Sequence, residues 1–328
     1  YKGKEYADHA ARMLMFVQTM EKAGLADAPT YSAVIYSLCK SGETSKIEDF
    51  MARMKERGFV CSLSTYNTLI TSLCRESMLQ EAQIVIKAMK NLNVSPDVVT
   101  YTTLIKGFCM VRRVDDAMEV LNGMAKSGCQ PDTICYNTLL DGLCSIGSIS
   151  SAHALMERMR ECGCPPNMIT HNIYAKGLCN KGKPYDACKV LEQVKSLGYS
   201  PNNRTVVVVL TGLCDKLDFE MAWKVFKDVT DQGGSHDAIS YALMIVRFSK
   251  ANRVDESKEL FNEMIEKGFT PSLFVYNNLL SCYCRNQCLD KASDLYFQMV
   301  KSGCKPNFYT RKVLNAAFLA VKPLGPLG

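Results

Sequence analysis

PDVVTYTTLIKGFCMVRRVDDAMEVLNGMAKSGCQ, residues 96–130, runs directly into PDTICYNTLLDGLCSIGSISSAHALMERMRECGCP, residues 131–165. The two stretches are equally long and place Pro, Tyr, a pair of apolar residues, Cys, Ala, Met and Gly at the same offsets. A period of this size marks a stacked repeat in place of a single closed core. Carried outward, the register yields eight units of 35 residues without insertion or deletion: 28–62, 63–97, 98–132, 133–167, 168–202, 203–237, 238–272 and 273–307.

Within a unit the fourth position is Tyr31, Tyr66, Tyr101, Tyr136, Tyr241 or Tyr276, with His171 and Val206 as exceptions. Apolar pairs such as Leu69-Ile70, Leu104-Ile105 and Leu139-Leu140 follow at positions seven and eight, and Leu, Phe or Tyr recurs at eleven. Spacings of three and four residues mark one face of an α-helix, helix A. A turn near position fifteen, at Gly42, Gly147, Gly182 or small and polar substitutes, separates it from helix B. That second stripe carries Ala82, Ala117, Ala152, Ala187, Ala222 and Ala292 at position twenty and Met at twenty-seven. Gly58, Gly128, Gly163, Gly198, Gly233, Gly268 and Gly303, with Asn93 in the remaining unit, suit the left-handed cap that ends a helix. Pro96, Pro131, Pro166, Pro201, Pro271 and Pro306 then block its continuation.

One such hairpin cannot bury both of its apolar stripes, so successive hairpins must stack and share a core. The expected fold is all-α: a right-handed α-α superhelix, or solenoid, of helix-turn-helix repeats with a concave groove. Residues 1–27 read as helix B of a partial repeat, 308–321 as helix A of another, and 322–328 as tail or linker, which suggests a piece of a longer array.

Composition agrees with a soluble globular chain, at 47% hydrophobic and 22% charged residues, and apolar runs such as Val206 to Leu210 are far too short to span a membrane. A formal charge of +6 permits a polyanionic partner without requiring one. Of the sixteen cysteines, Cys39, Cys74, Cys109, Cys144, Cys179, Cys214 and Cys284 sit on the repeat grid, where they read as small packing groups. Cys162 with Cys164 and Cys282 with Cys284 lack zinc-ribbon spacing, and no metal site is expected. So many thiols suit a reducing compartment.

TYNTLITSLC, TYTTLIKGFC, CYNTLLDGLC and VYNNLLSCYC, each followed by M-x3-G (N in one unit) and then by P-D or P-N, resemble pentatricopeptide repeats of the plain P type across essentially the whole chain. Tetratricopeptide repeats are excluded by the period and by the absence of their W-x2-L-G-x2-Y start. The resemblance implies single-stranded RNA as partner, read at about one base per repeat in a mitochondrion or chloroplast, with organellar RNA-processing proteins as further partners. It implies no cofactor, no small-molecule substrate, no membrane and no catalysis. The deaminase signature H-x-E is missing at His9, His153, His171 and His236.

The words that change between repeats carry the code that the resemblance implies. Position five is Ser32, Asn67, Thr102, Asn137, Asn172, Val207, Ala242 and Asn277, and position thirty-five is Ser62, Asp97, Asp132, Asn167, Asn202, Asp237, Ser272 and Asn307. Asp, Asn and Ser before a helix are also ordinary N-caps, but Asn inside helix A has poor propensity and points to a task. By resemblance, Asn67 with Asp97 prefers uracil and Thr102 with Asp132 guanine. Asn137 with Asn167, Asn172 with Asn202, and Asn277 with Asn307 prefer pyrimidines, cytosine ahead of uracil. Ser32 with Ser62, Val207 with Asp237, and Ala242 with Ser272 are weak, so the expected core is 5′-N-U-G-Y-Y-N-N-Y-3′. Position two sandwiches bases in the family, a role that Val99, Ile134, Ile169, Ile239 and Phe274 suit and that Pro29, Ser64 and Arg204 do not. Lys40, Arg75, Lys250 and Arg285 at position thirteen are candidates for phosphate. The alternative is a protein- or peptide-binding helical scaffold, which predicts Lys and Arg clamps on helix A in place of Asn, Thr and Asp.

Overall fold

The computed structural model describes residues 2–25, 27–41, 45–56, 58, 62–199, 202–231 and 236–320. The expected turn at Gly42, Pro201, the expected cap at Gly233 and the tail 322–328 lie outside the described residues. The chain divides into two compact units, Tyr1–Gly177 and Leu178–Gly328.

The helices described in the first unit are α1 (Lys2–Lys22), α2 (Ala28–Ser41), α3 (Ser45–Glu56), α4 (Leu63–Arg75), α5 (Leu79–Asn91), α6 (Val98–Met110), α7 (Val114–Lys126), α8 (Thr133–Ile146) and α9 (Ile149–Glu161), followed by α10 (Met168–Asn180). The second unit holds α11 (Pro184–Ser196), α12 (Asn203–Asp215), α13 (Phe219–Asp231), α14 (Ala238–Lys250), α15 (Val254–Glu266), α16 (Leu273–Arg285), α17 (Leu289–Lys301) and α18 (Phe308–Ala320). Even-numbered helices are helices A and odd-numbered ones helices B. In the first unit α2, α4, α6 and α8 pack side by side, each against the helix B that follows it; in the second, α12, α14, α16 and α18 pack side by side, and α12, α14 and α16 each also pack against the helix B that follows. Each unit is thus a stack of helical hairpins of the all-α solenoid class.

The stacking follows from which side chains are buried. Tyr66, Tyr101 and Tyr136 are buried at the base of their helices A, with Leu69-Ile70, Leu104-Ile105 and Leu139-Leu140 one turn further on. Ala82, Ala117 and Ala152 are fully buried on helices B and let neighbouring backbones approach. Burying one such large apolar side chain contributes about 1.5–3 kcal/mol, and here each is shared between adjacent hairpins. The grid cysteines divide. Cys39, Cys74, Cys144 and Cys214 are buried, whereas Cys109, Cys179 and Cys284 remain half-buried. Burial pushes the thiols of Cys39 and Cys144 up to about 12 and that of Cys74 to about 11, so they stay protonated.

These cysteines pack against a glycine that the periodicity argument passed over. A Cβ on Gly142 would lie 2.3 Å from Cys109 Sγ and 2.8 Å from its Cβ, and one on Gly177 would lie 2.5 Å from Cys144 Sγ. Glycine at position ten allows one helix A to close on the thiol of the preceding one. No helix among the described residues is long and apolar enough to cross a membrane, and none of their His, Cys, Asp and Glu side chains form a metal-binding group.

Candidate nucleic-acid interface

The candidate interface is assembled where each helix A begins. Ser62, Asp97, Asp132, Asn167, Asn202, Asp237, Ser272 and Asn307 all accept a hydrogen bond from the backbone N–H three residues on, at 2.8–3.5 Å. Every member of the position-thirty-five column is thus an N-cap, which satisfies one of the orphan donors of the helix start. Capping engages one acceptor atom of each side chain. An Asp keeps a second carboxylate oxygen, and an Asn keeps two amide protons. Burial works against the charge of Asp97, but hydrogen bonds from the Thr100 backbone, the Thr100 hydroxyl and Asn67 outweigh it and hold the carboxyl below its ordinary 3.8. Asp237 is lowered likewise: burial is outweighed by Ser240. Both are acceptors only.

Position five lies beside this cap. Asn67, Thr102, Asn137 and Asn172 are half-buried and Asn277 is 8% exposed, so none projects freely into water. Asn67 Nδ2 donates to Asp97 Oδ1 at 3.3 Å, and Asn277 Nδ2 reaches Asn307 Oδ1 at 3.5 Å. The carbonyl end of each amide is held more tightly. Asn67 Oδ1 accepts from the Thr100 hydroxyl at 2.6 Å, Asn137 Oδ1 from Thr170 at 2.8 Å, and Asn277 Oδ1 from Thr310 at 2.7 Å. Thr102 differs: its hydroxyl donates back to Val98 O at 2.7 Å and touches Cys135 Sγ at 2.9 Å, which leaves a lone pair outward. Ser32 is half-buried, as are Val207 and Ala242, which carry no polar side-chain atom.

Position two decides whether the aliphatic column is core. Val99, Ile134, Ile169, Ile239 and Phe274 are 58–68% exposed, against nearly complete burial of the tyrosine, or in one repeat His171, two residues on. Tyr309 continues the column at 49% exposure in the partial repeat and was missed by the sequence reading, although the same offset places it there. In the first unit these positions meet. A pocket of about 550 Å3 is lined by Asn67, Asp97, Val99 and Arg75 together with Ser64, Thr68 and Thr71.

The basic column is not uniform. Arg75 lines that pocket and Lys250 is exposed, and neither has an ion-pair partner among the described residues. Lys40 instead pairs with Glu76 of the next repeat. Arg285 turns back onto the preceding repeat, donating from Nη2 to Ser249 O at 2.6 Å and from Nε to Asn252 Oδ1 at 3.1 Å.

Comparison with known proteins finds matches to a repeat family. The PPR repeat family matches residues 26–75, 62–110, 96–145, 131–180 and 271–318, and the PPR repeat matches 169–199 and 239–269. No curated protein matches the sequence. Among solved structures, the pentatricopeptide repeat protein PPR10 from maize is similar in fold, with a TM-score of 0.61 and 24% identity over 95% of this chain and 50% of that one. The chain spans about half the length of that protein. PPR10 in complex with an 18-nt psaJ RNA element aligns with a TM-score of 0.48 and 21% identity over 97% of this chain and 58% of that one. The PPR domain of Arabidopsis thaliana protein-only RNase P 1 in complex with tRNA aligns at 0.46 and 19% identity, covering 54% of this chain and 94% of that one. Since the family matches extend over most of the sequence and begin close to the helix A starts, the chain belongs to the pentatricopeptide repeat (PPR) family.

Proposed function

We propose that this chain binds single-stranded RNA in sequence-dependent fashion, four of its repeats offering a base both one exposed apolar contact and one pair of polar side chains. The observation that carries the reading is the solvent-facing column Val99, Ile134, Ile169, Ile239 and Phe274, set 35 residues or a multiple apart beside capped polar pairs. Exposed aliphatic and aromatic groups that recur at the same repeat position suit the faces of unstacked nucleobases.

The atoms left over at each pair support the bases that the family resemblance implies. At Asn67 and Asp97 an amide proton and a carboxylate oxygen remain, a donor and an acceptor that suit the O4 and N3–H of uracil. At Thr102 and Asp132 two acceptors remain, which suit the N1–H and N2–H of guanine. At Asn137 with Asn167, and at Asn277 with Asn307, the oxygens are engaged and amide protons remain, which suit the acceptors N3 and O2 of cytosine. Asn172 and Asn202 carry the same residue types, although Asn172 Oδ1 is buried without a hydrogen-bond partner among the described residues. Val207 with Asp237 and Ala242 with Ser272 offer a single polar partner and read loosely, as do Ser32 and Ser62. The resulting core is 5′-N-U-G-Y-Y-N-N-Y-3′, and the resemblance extends it to organellar transcripts that are shielded, remodelled or handed to processing proteins by occupancy alone.

The RNA 5′-AUGCCAAC-3′ competed against 5′-AUACCAAC-3′ tests this. Replacing guanine by adenine swaps a donor for an acceptor at N1 and is expected to weaken binding by about 1–3 kcal/mol, with Thr102→Asn relaxing the preference. Equal affinity for both RNAs rejects the register, and no binding of either at low salt rejects RNA as the ligand in favour of a peptide.

A further inference from the structure

In four repeats position five is Asn, and in all four a threonine stands 33 residues later: Asn67 with Thr100, Asn137 with Thr170, Asn172 with Thr205, and Asn277 with Thr310. Where position five is Ala242 the corresponding residue is Val275, where it is Val207 it is Ser240, and where it is Thr102 it is Cys135. Threonine as the third residue of helix A already serves a capping box, so its presence alone needs no further reason. For Thr100, Thr170 and Thr310, however, the hydroxyl also lies within hydrogen-bond distance of the asparagine one repeat back.

The hydroxyl of Thr170 accepts the backbone N–H of Asn167 at 3.1 Å and donates to Asn137 Oδ1 at 2.8 Å, closer than its own cap oxygen at 3.1 Å. Thr310 repeats the arrangement, with Asn277 Oδ1 at 2.7 Å and its own cap oxygen at 2.9 Å. Thr100 does so with Asn67 Oδ1 at 2.6 Å. For Asn137 this is the one side-chain hydrogen bond among the described residues. An asparagine amide is a donor at one end and an acceptor at the other, and its two orientations have nearly the same shape. Which end meets a base is decided by whatever fixes the other end. A donor aimed at the carbonyl fixes Oδ1 inward and leaves Nδ2 for the ligand. The flipped amide would oblige the hydroxyl to accept a second N–H and to turn its proton back to the cap oxygen, which for Thr170 is the longer contact at 3.1 Å.

From this geometry we infer that Thr100, Thr170 and Thr310 are specificity-positioning residues of the base-reading site, each fixing the amide orientation of the asparagine one repeat earlier so that it presents N–H and not C=O to the base. The inference rests on the RNA-binding reading above. It adds a third determinant to three of the four Asn-containing repeats, supplied by the following hairpin; in the fourth, Asn172 Oδ1 is buried without a hydrogen-bond partner among the described residues and Thr205 meets only its own cap Asn202 Oδ1 at 3.5 Å. Base preference at each of the three then depends on a residue that touches no base.

The experiment compares Thr170→Val, Thr170→Ser and wild-type protein for binding to 5′-AUGCCAAC-3′ and to 5′-AUGACAAC-3′, which differ at the base opposite Asn137. The valine variant keeps the shape and loses the donor, and the preference for cytosine over adenine is expected to shrink about fivefold, the serine variant restoring it. Ser240→Ala is the control for helix capping alone, since the Ser240 hydroxyl bonds Asp237 and its neighbour one repeat back is Val207, which has no amide. It is expected to leave base preference unchanged. Should Thr170→Val fail to fold, Thr310→Val read at the final base of the same RNA replaces it. A valine variant that keeps the wild-type cytosine preference overturns the inference while leaving RNA binding intact. Wild-type protein that binds neither RNA overturns the base-reading role itself.

Discussion

His236 stands where the neighbouring repeats carry proline, and its surroundings turn that exception into a measurable property. The ring is 2% exposed, stacks on Phe226 at a centroid distance of 3.7 Å, and Nε2 lies 2.8 Å from Phe226 O. Burial lowers its pKa from the ordinary 6.5; the Phe226 carbonyl opposes that shift, Lys267 assists it, and Asp237 and Glu263 oppose it weakly. The folded chain holds the ring neutral, so the unfolded chain takes up the proton first as pH falls. Its contribution to stability is present above about pH 6.5 and is lost as pH drops through the lower folded value, with a limiting slope of about 1.4 kcal/mol per pH unit. Urea unfolding between pH 8 and pH 5 is expected to show less loss in His236→Gln than in the parent; equal slopes would refute the assignment. Residue identity made the exception visible in the sequence. The stacking partner was not visible, because Phe226 belongs to another helix.

Local rules made the elements legible. The helix starts at Leu63, Val98, Thr133, Asn203, Ala238 and Leu273 each follow a capping side chain, and capping is a property of four consecutive residues. The turn between helix A and helix B was read less sharply. It needs a left-handed residue at position fifteen, and Ser77, Arg112, Leu217, Asn252 and Gln287 occupy it at φ 58–64° alongside Gly147 and Gly182. Glycine was the visible signal, but the hairpin imposes the conformation whichever residue is there. Leu217 is the costly case, since its side chain is 77% exposed and gains little packing in return. Leu217→Gly is expected to raise stability by roughly 0.5–1 kcal/mol in chemical denaturation, the relief of the left-handed strain exceeding the entropy cost of glycine. A loss of stability would mean that the leucine packs in solution.

At the scale of the whole chain, backbone electrostatics are expected to be secondary to base contacts. Lys40 and Arg285 are committed to protein partners, whereas Arg75 and Lys250 have no ion-pair partner among the described residues. Each phosphate neutralised on a single strand contributes a slope of about −0.7 to the dependence of log affinity on log salt, so Arg75→Ala should make the slope shallower by about that amount, and Arg285→Ala should change it little. A reversed order in a salt titration would show that the arginine contacts with Ser249 and Asn252 give way on binding. The period, the helix pattern, the caps and the family were determined by the sequence alone, because each rests on spacings along the chain, within one 35-residue unit or from one unit to the next. Only the tertiary structure decided which atoms of Asn67, Asn137 and Asn277 remain for a ligand and which basic residues are already engaged. Those outcomes depend on Thr100, Thr170, Thr310, Glu76 and Ser249, and a hydrogen bond between side chains some 30 residues apart exists only once stacking has brought one hairpin against the next.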